Sequence, residues 1–201
     1  DVQRLRARSG AVLTGIGTVL ADNPKLTVRD SAYDIPGQPL RVVLDSRLQT
    51  PADAALLAEP GDTLLVHAEG EKGVRALLEQ NGSDPAFLAV PRDDTGLNLG
   101  AVLDDLGARE INEVLVECGA RLAGRLLGAG LVDEWVLYTA PTLLGSSARP
   151  LAEMALDTMA QQQRFSVTEL TRVGEDVRWT LRPGKNGVRE KWGQSRLNRR
   201  I

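Results

Sequence analysis

The chain has 201 residues, 42% hydrophobic and 25% charged, a balance expected of a globular protein served by one core. No stretch approaches the ~20 consecutive apolar residues of a bilayer-spanning helix. Nor does a charged segment lead into an apolar run and a small-residue cleavage site. The single cysteine, Cys118, excludes an internal disulfide framework and fits a reducing, cytoplasmic setting. The net charge of −3 is unevenly spread, because residues 184–201 hold six basic side chains against Glu190. Residues 1–183 therefore carry −8, a body with no nucleic-acid footprint, while 184–201 is expected to be a solvated, disordered basic tail.

Residues 1–9 read as the end of a helix, with Val2 and Leu5 on one face and Gly10 in the left-handed conformation that stops it. The first residue is Asp1 rather than methionine, so a fragment beginning inside that helix is expected. Ala11 to Thr14 is a short buried strand. Gly15-Ile16-Gly17 then turns into a helix over 18–21, which Asn23-Pro24 ends. The continuous apolar runs 40–44 and 63–67 predict strands covered on both faces of a parallel sheet. A helix over 73–80, a strand over 86–90, a helix over 97–106 and a strand over 114–116 follow. After them come a helix over 121–127, closed by Gly128 and Gly130, and a strand over 134–140. The segments 165–172 and 176–181 flank Val173-Gly174-Glu175 and predict an antiparallel hairpin. The whole is an α/β fold whose mostly parallel sheet ends in that hairpin, with helices on both faces. Residues 30–39 and 141–163 are the longest irregular connections and could border a cleft.

Composition removes several chemistries. A zinc deaminase site needs a His or Cys ligand and a Pro-Cys-x-x-Cys pair, and this chain has only His67 and Cys118, so no metal site is expected. A Ser-His-Asp constellation would rest on His67, which ends a strand without a nucleophile motif beside it. The dinucleotide fingerprint fails as well, since Leu20 stands where a third glycine belongs after Gly15 and Gly17.

Two strand-to-helix junctions suit anionic oxygens by another scheme. In Thr14 to Asp22 outward backbone amides are joined by the Thr18 hydroxyl; an ordinary turn is the competing reading. In Glu117 to Arg125 (ECGARLAGR), Gly119 permits close backbone approach and Arg121 adds a charge beside a helix start. Glu117 ends an apolar strand, where a carboxylate needs a cleft or a polar partner; capping or a salt bridge would serve equally. Arg6 and Arg29 could grip a phosphate in a bidentate way, or pair at the surface. Asp45-Ser46 could be no more than a turn.

The segments AVLTGIGTVLADNPKLTVR (11–29), LRVVLDSR (40–47), VLVECGARLAGRLLGAGLVDEWVLYTAPTLLG (114–145) and FSVTELTRVGEDVRWTL (165–181) together resemble one family. It is the reductase half of the bifunctional riboflavin-biosynthesis deaminase/reductase, the 5-amino-6-(5-phosphoribosylamino)uracil reductase. The resemblance implies a dihydrofolate-reductase-like fold, NADPH as hydride donor, a homodimer, and reduction of a ribosylamino sugar to a ribitylamino chain at C1′. It implies cofactor contacts at Thr18, Asp22 and Ser46, and along the turn Gly119, Ala120, Arg121, Leu122, Ala123, Gly124 and Arg125. It implies substrate contacts at Arg6, Leu26, Arg29 and Glu117, the arginines toward the 5′-phosphate and Glu117 polarising or protonating the reacting sugar. In the family a further strand and a zinc deaminase domain precede the region matched here, so both are expected upstream, and 1–183 is read as the reductase domain. Two rival readings keep parts of this picture. One is a reductase of dihydrofolate or another small substrate on the same fold. The other is a non-catalytic remnant that binds nucleotide or dimerises.

Overall fold

Five of the apolar runs pair into one parallel sheet: β1 (Ala11–Gly15), β2 (Leu40–Leu44), β3 (Thr63–Ala68), β4 (Ala86–Val90) and β7 (Val114–Val116), in the order β4-β3-β2-β1-β7. The computed structural model of the chain describes residues 1–71 and 84–184. The predicted helix over 73–80 and the basic tail beyond residue 184 lie outside the described residues. The inner strands are buried on both faces, and Val12, Val42, Val43, Leu64, Leu65 and Val66 are among the largest fully buried side chains. Alternation is absent because neither face of these strands meets water. On one side Val19, Val43, Leu48, Ala54, Leu56 and Leu65 form a core cluster.

Two compact units divide the chain, Asp1–Gly119 and Ala120–Ile201. The first holds the parallel sheet. Its opening helix α1 (Val2–Arg8) ends in an extended Ser9, so the predicted left-handed stop at Gly10 is corrected. What Gly10 supplies is room, since an added Cβ would lie 3.2 Å from Cγ2 of Ile111. The helix predicted over 18–21 runs longer, as α2 (Ile16–Asp22), and starts directly from β1 without the predicted turn at 15–17. It ends as predicted at Asn23, which takes the left-handed conformation with φ 43° and whose Oδ1 accepts from the backbone N–H of Ala55.

A short helix α3 (Ala55–Ala58) precedes β3. Arg41 of β2 is buried and staples the chain between them, donating to the carbonyls of Glu59, Pro60 and Gly61 and to the Thr63 hydroxyl. Burial pushes its guanidinium below the ordinary value, against the opposing pull of Glu59 and Asp62. After β4 a small hairpin of β5 (Arg92–Asp93) and β6 (Gly96–Leu97) intervenes. It withdraws Leu97 from the predicted helix, and α4 (Leu99–Ala108) begins instead at Asn98, whose side chain caps the Ala101 N–H.

In the second unit α5 (Ala120–Gly128) precedes β8 (Trp135–Thr139), β9 (Phe165–Val173) and β10 (Asp176–Pro183). The predicted hairpin β9–β10 is present, and β8 joins it antiparallel in a separate ladder ordered β8-β10-β9. Trp179 donates across that ladder to the Thr139 hydroxyl at 3.0 Å. Among the described residues no helix is long and apolar enough to cross a membrane, and no group of three or more His, Cys, Asp or Glu is gathered as metal ligands would be.

Candidate active site at the carboxyl ends of β1 and β7

The sheet order contains one reversal. From β1 the chain steps outward through β2, β3 and β4, then returns to place β7 on the other side of β1. In parallel α/β sheets such a switch opens a crevice beyond the carboxyl ends of the two strands, where their following segments diverge. Here the register Leu13↔Val116 brings the end of β1 beside the end of β7, and Gly15↔Leu44 sets the end of β2 alongside. The two junctions suspected from sequence, near Thr18 and Glu117, therefore issue from neighbouring strands at the same edge.

Glu117 is held there by its backbone first. Its N–H donates to the Leu13 carbonyl at 2.9 Å, and its carbonyl accepts from the buried Thr14 hydroxyl at 2.7 Å. The carboxylate is then fixed by Arg6 of α1. Arg6 Nε donates to Oε1 at 2.6 Å and Nη2 to Oε2 at 2.7 Å, a fork-on-fork pair. The third nitrogen, Nη1, donates to the Thr27 carbonyl at 2.9 Å. Arg6 is buried, and each of its three guanidinium nitrogens donates to a protein acceptor, Glu117 or Thr27. The Glu117 carboxylate is more open, with about a quarter of its side-chain surface exposed (27%).

The segment after α2 folds toward this pair. Leu26 is buried and has φ 54°, a conformation that costs a non-glycine residue about 1 kcal/mol or more and persists only when its surroundings hold it. The hold is visible. Gln38 accepts from the Val28 N–H and donates to the Val28 carbonyl, at 2.8 and 3.0 Å, while Gln3 accepts from the Arg29 N–H at 2.6 Å. The Arg29 side chain is exposed. Beside it the Thr27 hydroxyl is buried with no hydrogen-bond partner.

Thr18 and Asp22 lie four residues apart on α2, hence on one face, half-buried and exposed respectively. Ser46 follows β2, half-buried, with its carbonyl accepting from the Ala68 N–H at 3.3 Å. An ideal Cβ built on Gly17 or Gly119 meets nothing within 4 Å, so backbone is open to approach at both junctions. Gly119 closes the first unit. Ala120 to Arg125 are the first turn and a half of α5 and belong to the second. Within that unit Gly124 serves packing, since its Cβ position is filled by the Glu153 backbone. Sequence reasoning missed Thr14, Gln3, Thr27 and Gln38, because each acts through a contact made only after folding.

The chain matches the RibD C-terminal domain family over residues 1–178. It is 38% identical over 193 residues to the riboflavin biosynthesis protein RibD of Escherichia coli, a match covering 88% of this chain and 50% of that one. It is 30% identical over 198 residues to a Buchnera aphidicola protein named 5-amino-6-(5-phosphoribosylamino)uracil reductase, covering 92% of each. Among solved structures, Acinetobacter baumannii RibD superposes with a TM-score of 0.80 at 36% identity, covering 92% of this chain and 49% of that one. The chain thus spans about half the length of the RibD proteins, and nearly all of the separate reductase. With its dihydrofolate-reductase-like α/β fold, it belongs to the RibD C-terminal domain family, the reductases of riboflavin biosynthesis.

Proposed function

We propose that the chain reduces 5-amino-6-(5-phosphoribosylamino)uracil to its ribitylamino counterpart, with NADPH as the hydride donor and the sugar C1′ as the acceptor. The observation that carries this reading is the carboxylate of Glu117, locked in place by Arg6 at the switch point yet open on one side. In the closed sugar, C1′ holds both the ring oxygen and the exocyclic nitrogen. Opening the ring moves a proton to that oxygen and leaves a carbon–nitrogen double bond, cationic when its nitrogen is protonated. A fixed carboxylate beside that nitrogen stabilises the cation and lowers the barrier to reduction at C1′. With both oxygens accepting from Arg6, Glu117 suits the polarising role of the two expected of it better than proton donation.

Arg6 is a positioning residue in this scheme, and Arg29 is the guanidinium left to hold the 5′-phosphate. Leu26, buried and held at a positive φ, is assigned to the substrate site on the resemblance. NADPH supplies the hydride when bound. The residues suit it, with open backbone at Gly17 and Gly119, the Thr18 hydroxyl and Asp22 on one helix face, and Ser46 at the next strand end. Ala120 to Arg125 are assigned to it on the sequence pattern alone. The test is NADPH absorbance in a mixture of chain and substrate. Substrate-dependent oxidation is expected, inhibited by ribose 5-phosphate and not elicited by dihydrofolate. No oxidation by the folded chain would overturn the proposal.

The partners proposed are a second copy of the chain and, in a longer protein, a zinc deaminase domain upstream. Leu143 (99% exposed), Leu144, Met159, Val167 and Leu170 are exposed apolar side chains of the second unit, available to such a contact. Sedimentation should give twice the 21.7 kDa chain mass, and a lone species at 21.7 kDa would exclude the dimer.

A further inference from the structure

Residues 23–29, which carry Leu26 and Arg29, form neither helix nor strand, so their backbone groups need partners from elsewhere. Two consecutive peptide units of this segment find them in side chains. A trans peptide is planar, with its carbonyl and its N–H pointing opposite ways. In the unit joining Thr27 to Val28, Arg6 donates to the carbonyl and Gln38 accepts from the N–H. In the unit joining Val28 to Arg29, Gln38 donates to the carbonyl and Gln3 accepts from the N–H. Each unit is gripped at both ends, and Gln38 is the residue common to the two. Gln3 and Arg6 lie three residues apart on one face of α1. Gln38 is itself held. Its stem runs against Gly61, whose φ is 95° and where an added Cβ would lie 2.8 Å from the Gln38 Cβ. The Gly61 carbonyl accepts in turn from the buried Arg41.

Gripping both backbone groups of one residue takes a donor and an acceptor on a single side chain. At this length only glutamine supplies both at neutral pH. With the peptide planes on either side of Val28 fixed, its two soft dihedrals are fixed as well, and with them the point from which the exposed Arg29 side chain departs. We propose that Gln38 is a positioning residue for substrate binding: through the Val28 backbone it aims Arg29 at the 5′-phosphate. Gln38 itself touches neither substrate nor dinucleotide.

This inference rests on the substrate reading above, in which Arg29 holds that phosphate, and two measurements separate them. Gln38→Met keeps the length of the stem and removes both hydrogen bonds. Gln38→Glu keeps the acceptor, but its ionised carboxylate meets the Val28 carbonyl with no proton to offer. Each should raise KM for the phosphorylated substrate roughly tenfold, the scale of a net hydrogen bond or two. Turnover and NADPH affinity should move by no more than about twofold, the pattern of a grip made equally in ground and transition states. Calorimetric titration of ribose 5-phosphate, without dinucleotide, should show the same loss. Adding Gln38→Met to Arg29→Ala should weaken ribose 5-phosphate no further, because the group Gln38 serves is already gone. Unchanged binding in the Gln38 variants while Arg29→Ala weakens it, or losses that add in full, would overturn the role of Gln38 and leave the substrate reading intact. Parallel losses in KM, turnover and NADPH affinity would make Gln38 a support of the fold only. Ribose 5-phosphate that ignores Arg29→Ala, or does not bind wild-type chain, would sink the phosphate assignment and this inference together. Circular dichroism verifies each variant. If Gln38→Met does not fold, Gln38→Glu decides, and failure of both to fold assigns Gln38 to the fold alone.

Discussion

Replacing Glu117 by glutamine should lower turnover by roughly 10²- to 10³-fold, the scale on which removing one preorganised electrostatic group is felt. The affinity for NADPH should move by no more than about twofold, because the change is isosteric and lies at the sugar rather than along the dinucleotide. Stopped-flow reduction and equilibrium dinucleotide titration read the two quantities separately. Equal losses in both would show that Glu117 supports the fold of the crevice rather than the reaction. The variant also places an amide NH₂ opposite the Arg6 fork, donor against donor, so a modest loss of stability is expected alongside.

Arg6 offers a sharper discrimination through a double-mutant cycle. If Arg6 acts only by orienting Glu117, then Arg6→Met on top of Glu117→Gln should cost little further in turnover, since the group it serves is already gone. If instead it grips the 5′-phosphate, as the sequence alone allowed, its loss should add in full and raise KM. The geometry favours the first outcome, because each of the three guanidinium nitrogens already donates to Glu117 or Thr27.

What the sequence made legible was whatever is decided locally. The parallel strands stand out because continuous apolar runs have few other uses, and Leu40–Leu44, Ala86–Val90 and Val114–Val116 agree with their predicted bounds. Glu117 was conspicuous for a similar reason, as a carboxylate at the end of such a run. Its partner was not, for Arg6 lies 111 residues away and nothing near either residue announces the pair. The β5–β6 hairpin escaped because its two-residue strands carry no period to detect. Gly10 was misjudged since glycine has two uses, a left-handed turn and a close approach, and only the neighbour Ile111 decides between them.

Gly124 shows the same ambiguity with a larger consequence. The resemblance placed it among the cofactor contacts, yet an added Cβ would sit 1.9 Å from the carbonyl oxygen of Glu153 and 2.7 Å from its carbonyl carbon. Those are backbone atoms, so no rotamer change can clear them. The segment is pinned as well, by the Glu153 N–H donating to the Ala120 carbonyl at 2.9 Å. Gly124→Ala must therefore push residue 153 off α5 and break that bond, at a cost on the order of 3 kcal/mol. For a chain of this size that lowers Tm by roughly 6–12 °C. Gly128→Ala in the same helix is the control, because its Cβ would meet nothing within 4 Å. There the better helix propensity of alanine should leave Tm unchanged or slightly raised. Differential scanning calorimetry of the two variants checks the contrast. If Gly124→Ala melts with the wild type, the 153 segment does not rest on α5, and the glycine must then be explained by what binds there instead.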